Sequence, residues 1–170
     1  MPGLIVIDVQ RGFITPDTRH VPDLVTRLQH RFDAVWVSRF VNPPGSAHRR
    51  LLGWARFAPG SDETALAFRP RAGARLADKT TYTCDGPPLR AWLAAHGLDT
   101  VYLAGIATDG CVLKTAVDLF EGGLRPVVLA GACASHGGAD CHAAGLLLLK
   151  RFVGAGQVIL DDPLVCPITD

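Results

Sequence analysis

Apolar positions along the chain follow two rhythms. Residues 4–9, 34–39, 100–104, 126–129 and 157–160 are almost continuously apolar, the pattern of parallel strands covered on both faces rather than of strands with one wet side. A shorter run at 75–80 predicts one more strand. Between these, residues 23–32, 88–96, 109–121 and 139–153 carry apolar side chains at helical spacing, with Gly97 and the Gly122-Gly123 pair where helices end. The alternation predicts a single α/β domain over residues 1–170. Its sheet is parallel, of five or six strands, with helices on both faces and right-handed crossovers. Ligands of such sheets bind beyond the carboxyl ends of the strands, so chemistry is expected there. Residues 42–70 break the rhythm and read as a long loop with a short helix near 48–54. The stripe Leu146, Leu149 and Phe152 is expected to face the core.

Composition narrows the function classes. The chain has 170 residues, 48% of them hydrophobic, and 17 Lys plus Arg against 16 Asp plus Glu. A chain of this size builds its core without disulfides or a structural metal. Arginines are scattered from Arg11 to Arg151, so there is no basic face for nucleic acid. The longest apolar stretches, 126–134 and 143–149, fall short of the roughly 18 residues of a membrane span. The first residues run into Asp8 without a positive segment or a small-residue cleavage site, so a cytoplasmic location is expected. Five cysteines at irregular spacing, Cys84, Cys111, Cys133, Cys141 and Cys166, read as thiols rather than a disulfide framework.

Three of the strand ends carry reactive side chains. Asp8 closes the first apolar run; half withdrawn from water, it would have a raised pKa suited to a base, although an Asp there also serves to hold loop N–H groups. Cys111 sits in the first turn of the helix predicted from about Thr108, where free N–H groups and the helix dipole would lower its pKa. A buried structural thiol is the other reading. Lys79 ends the 75–80 run. It is either a solvated charge or the cation that keeps Asp8 ionised. Cys133, His136, Cys141 and His142 lack the paired clip spacing of a zinc site, so no metal is expected, and either histidine has room to rim a pocket. Phe13, Trp54 and Tyr82 are candidates for aromatic walls around a small planar substrate.

The segments Asp8-Val9-Gln10 with Gly12-Phe13, Asp78-Lys79-Thr80-Thr81-Tyr82, and Gly105-Ile106-Ala107-Thr108-Asp109-Gly110-Cys111-Val112 together resemble the isochorismatase-like cysteine hydrolases. The resemblance spans nearly the whole chain. It implies a Rossmann-like fold and a catalytic triad of Asp8, Lys79 and Cys111. It also implies a cis peptide between Ile106 and Ala107, an oxyanion hole from the Ala107 and Cys111 N–H groups, and Ile106 beside the substrate. The nicotinamidases of this group carry an Asp-x-His metal pair after the second strand. Here that stretch reads Ser38-Arg39-Phe40-Val41-Asn42, with His48 the one histidine nearby, so neither metal nor other cofactor is expected.

The resemblance therefore implies hydrolysis of a C–N bond in a small amide, carbamoyl or ureido substrate through a Cys111 thioester, by a homo-oligomer, dimer or tetramer. Two alternatives stay open. One is a non-covalent hydrolase of the isochorismatase type using Asp8 and Lys79. The other is a catalytically silent module that binds a metabolite or a partner in the same crevice.

Overall fold

The apolar runs become strands β1 (Gly3–Ile7), β2 (Ala34–Phe40), β3 (Arg75–Lys79), β4 (Thr100–Ile106), β5 (Arg125–Ala134) and β6 (Val158–Ile159). They are seen in a computed structural model that describes residues 3–160; Cys166 lies outside the described residues. Every pairing is parallel, and the sheet order is β3-β2-β1-β4-β5-β6. Helices α1 (Val21–Leu28), α2 (Ala47–Leu52), α3 (Pro87–Ala95), α4 (Leu113–Glu121) and α5 (Ala139–Phe152) lie between them. The chain winds outward from β1 to β3 and then from β4 to β6. The reversal falls between β1 and β4, and a crevice opens at their carboxyl ends.

Alternate residues of each strand feed two cores. Leu4 and Val6 pack with Val21, Val25 and Leu28 of α1, whereas Ile5 and Ile7 pack with Leu89, Leu93, Ala116, Leu119 and Leu149 from α3, α4 and α5. Each such side chain, fully withdrawn from water, contributes about 1.5–3 kcal/mol. Among the described residues, no helix is long and apolar enough to cross a membrane.

Differences from the sequence reading have local causes. β1 stops at Ile7 because Asp8 adopts φ +50 and turns out of the strand. β5 runs on to Ala134, since the pairing with β4 resumes at Gly105–Cys133 after a register shift. The helix predicted from 109 begins as a wider π turn, Thr108–Val112, before α4. Phe152 is 49% exposed, while Leu149 is fully buried. A three-residue spacing drifts about 60° per step around a helix, which carries Phe152 off the core face.

The segment 42–70 is irregular but tied down. Ser46 caps α2 by accepting from the Arg49 N–H at 3.2 Å, and Gly53 (φ +65) ends it. Asn42 Nδ2 donates to the carbonyls of Trp54 (2.8 Å) and Arg56 (2.9 Å). Buried Gln10 donates to the carbonyls of Phe40 (2.9 Å) and Thr64 (3.0 Å), fastening the loop to the ends of β1 and β2.

Where β4 passes β1 the approach is closest at Gly105. Its φ is +134, and a Cβ there would lie 2.1 Å from the Ile7 carbonyl oxygen. Gly105→Ala should therefore cost at least about 2 kcal/mol in urea unfolding, whereas Gly156→Ala, which meets nothing within 4 Å, should stay close to wild type.

Candidate active site

Asp8 stands at the reversal point, fully buried. Aspartate is among the few side chains that tolerate the left-handed conformation, and here it turns the carboxylate into the crevice. Its Oδ1 accepts from Ser38 Oγ on β2 at 2.7 Å, and its Oδ2 faces Lys79 Nζ at 2.6 Å. Lys79, the last residue of β3, reaches past the neighbouring strand with its ammonium 5.3 Å from the Phe40 ring centroid. It also donates to the carbonyls of Thr81 (2.8 Å) and Tyr82 (3.0 Å) and lies 3.5 Å from Cys111 Sγ. Burial acts to lower the Lys79 pKa, but the Asp8 carboxylate and the Cys111 sulfur outweigh it and the net direction is up. The ammonium stays charged.

Cys111 lies on the π turn between β4 and α4. The Ile106–Ala107 peptide is cis, and the N–H groups of Gly110 and Val112 both donate to the Ala107 carbonyl at 3.0 Å, closing the turn. The sequence reading expected a lowered thiol pKa. The structure points the other way: burial, and then the charge of Asp8, push the Cys111 thiol up, and Lys79 offsets only part of this. The helix start was legible in the sequence, but the depth of burial around the thiol was not. At rest, Cys111 is a thiol beside a carboxylate able to take its proton.

A cavity of about 350 Å³ opens on the sulfur. Phe13, Trp54, Tyr82 and Ala107 line it, together with Phe40, Leu52, Gly110 and two histidines. Ile106 does not: it is fully buried in the core beneath. Phe40 stacks on Trp54 with centroids 5.7 Å apart, and Phe13 stacks on Phe57 at 4.0 Å. His48 sits 5.0 Å from both the Phe40 and Tyr82 rings, and its buried Nδ1 has no hydrogen-bond partner among the described residues. Burial, and then the Lys79 charge, lower its pKa; burial also lowers that of His136 on the opposite wall.

The four residues weighed as a metal cluster face different ways. Cys133 is buried with its thiol pushed up to about 12 by burial, and Cys141 abuts Gly137. His136 lines the cavity at 4.9 Å from the Phe13 ring, while His142 bonds Thr108 and borders a separate cavity. Among the described residues, no three His, Cys, Asp or Glu side chains come together as a metal site. The sequence did hold unread signals. Ser38 and Gln10 are polar residues at the carboxyl ends of otherwise apolar runs, and both proved to be buried at the crevice.

The family model described as the Isochorismatase domain matches residues 2–159. The chain belongs to the isochorismatase family. Among curated relatives in and around the isochorismatase family, it is 29% identical to maleamate amidohydrolase of Pseudomonas putida, over 85% of this chain and 77% of that one. A nicotinamidase of Acinetobacter baylyi is 49% identical, but over only 26% of this chain and 21% of its own length. Among solved structures, N-carbamoylsarcosine amidase from Thermoplasma acidophilum superimposes with a TM-score of 0.78 at 26% identity, covering 90% of this chain and 92% of that one.

Two outcomes are expected from the electrostatics of Asp8, Lys79 and Cys111. Asp8→Asn removes the charge that raises the thiol pKa while leaving Lys79, so Cys111 should alkylate faster with iodoacetamide at pH 7 than in the wild type, as read by peptide mass spectrometry; unchanged or slower labelling would contradict this coupling. Lys79→Ala leaves a buried carboxylate without its cation and should cost about 3–5 kcal/mol in denaturant unfolding, much of it regained when Asp8→Asn is added.

Proposed function

We propose that the protein hydrolyses the C–N bond of a small amide, carbamoyl or ureido substrate with an uncharged acyl group, through a thioester on Cys111. The observation that carries this reading is the contact of Cys111 Sγ with Lys79 Nζ (3.5 Å), itself 2.6 Å from buried Asp8, at the floor of an aromatic-walled cavity. The amidohydrolase names of the relatives support the reaction class.

In the proposed sequence Asp8 takes the thiol proton as Sγ adds to the carbonyl carbon, and the N–H groups of Ala107 and Cys111 hold the resulting oxyanion. The tetrahedral adduct collapses, the C–N bond breaks, and Asp8 returns its proton to the departing nitrogen. Water then enters. Asp8 takes one of its protons while the oxygen adds to the thioester carbon, and expulsion of sulfur releases the acid. Asp8 finally gives the proton back to Sγ. Lys79 remains an ammonium throughout, so the site alternates between ionised and neutral Asp8 against a fixed positive charge. Ser38, bonded to Oδ1, keeps the carboxylate aimed.

The cavity walls set the substrate class. Beyond the triad they present Phe13, Phe40, Leu52, Trp54 and Tyr82, with His48 and His136 as polar points, and no Lys or Arg side chain lines the cavity among the described residues. An anionic acyl group, such as that of maleamate, would lose its hydration there without gaining a cation, a cost of several kcal/mol. A flat, neutral acyl group loses nothing comparable and stacks on the rings.

Cys111→Ala should lower kcat on a neutral aromatic primary amide by at least about 10³-fold while the circular dichroism spectrum stays native. Substantial residual turnover would sink the thioester and favour water attack assisted by Asp8 and Lys79. In a substrate panel, neutral aromatic amides should exceed maleamate in kcat/KM by at least about tenfold; a preference for maleamate would overturn the assignment of an uncharged acyl group.

A further inference from the structure

We propose that His142 is a positioning residue for this reaction: from α5 it holds the turn that bears Ala107 and Cys111, through a hydrogen bond to Thr108. The inference rests on the catalytic reading of that turn given above. Thr108 is fully buried and follows the cis peptide directly. Its Oγ1 lies 2.8 Å from His142 Nδ1, a contact spanning 34 residues. Three residues further along α5, on the same helix face, Gly145 meets the turn itself. A Cβ there would sit 2.7 Å from Asp109 N and 2.8 Å from the Thr108 carbonyl carbon. α5 therefore grips the turn twice, by a side-chain hydrogen bond and by a backbone contact that only glycine permits.

His142 does not touch the catalytic cavity. It borders a second cavity of about 260 Å³, behind the turn, together with Asp17 and His20. Its influence is mechanical: Thr108 begins the turn whose N–H groups are assigned to the oxyanion, and a shift of a few tenths of an ångström there weakens those bonds in the transition state while leaving the substrate-binding walls in place. The bond is also sensitive to protonation. With Nδ1 unprotonated, the neutral imidazole accepts the Thr108 hydroxyl proton; an imidazolium has only donors, so Thr108 must then accept and its own buried proton is orphaned. The groups facing His142 are His20 and Asp17 from the segment before α1 and Asp109 from the turn. Burial, and then His20, hold its pKa below the usual histidine value, with Asp109 acting in the opposite sense. The neutral form of the strut holds at neutral pH and gives way to the reversed form, with the Thr108 proton orphaned, on acidification below the ordinary histidine range.

The test uses His142→Ala and His142→Asn, whose amide oxygen replaces Nδ1 as acceptor, in the full chain. His142→Ala should lower kcat about 10–100-fold with KM within about twofold; His142→Asn should regain most of it and lose the acidic limb of the wild-type kcat profile. A readout without substrate accompanies this. In the wild type the backbone amide resonances of Ala107 and Cys111 should titrate together with the His142 ring, and in His142→Asn they should not. Wild-type kcat in His142→Ala, or amide resonances that ignore the ring, overturns the positioning role. Equal impairment of both variants with a lowered Tm marks a merely structural residue and overturns it too. If the amides follow the ring but Cys111→Ala remains active, the positioning role stands and the thioester reading is the one that fails.

Discussion

The Asp8–Lys79 ion pair, closed off from water at the reversal of the sheet, is the constraint on which the site depends. Desolvation offsets most of the attraction in such a pair, so it adds little net stability, but removing one member leaves the other buried and uncompensated at a cost in stability. Cys111 lies within reach of both. Its thiol is held protonated by burial and by Asp8, so in the proposed thioester route the nucleophile forms when its proton moves to Asp8, in step with attack. A permanently ionised sulfur would leave Asp8 no proton to deliver to the departing nitrogen.

Backbone geometry delivers these groups from three elements that are far apart in sequence. β1 and β4 are neighbours, and Gly105 brings them close enough for the residues that follow each strand to meet. β3 lies one strand further out, and the Lys79 side chain spans the gap past Phe40. The irregular segment after β2 then supplies part of the wall, through His48, Leu52 and Trp54, and is anchored by Asn42 and Gln10. Residues that end or follow the strands form the floor of the cavity, while residues from several segments shape its walls.

The division between legible and illegible features follows the range of the interactions involved. Parallel strands buried on both faces leave continuous apolar runs, so the sheet was readable, and the strand ends pointed to Asp8, Lys79 and Cys111. Ends of elements were less so: nothing local announces the left-handed Asp8 that terminates β1, or the widened turn before α4. The ionisation of Cys111 was misjudged because its direction depends first on the burial of the thiol and then on Asp8, about a hundred residues away in the chain. The resemblance implied Ile106 beside the substrate, yet its side chain is buried in the core. His48 and Phe40 required the path of the 42–70 segment, and the grip of α5 on Thr108 joins residues that no periodicity connects.

The most direct test of the covalent route is to mix enzyme with a neutral aromatic amide, quench in acid within one turnover, and weigh the intact protein and its peptides. A thioester mechanism predicts an added mass equal to the acyl group, carried by the Cys111 peptide, that rises before product and decays at the rate of turnover. Product formed with no such adduct, or an adduct on Cys141 alone, would contradict it.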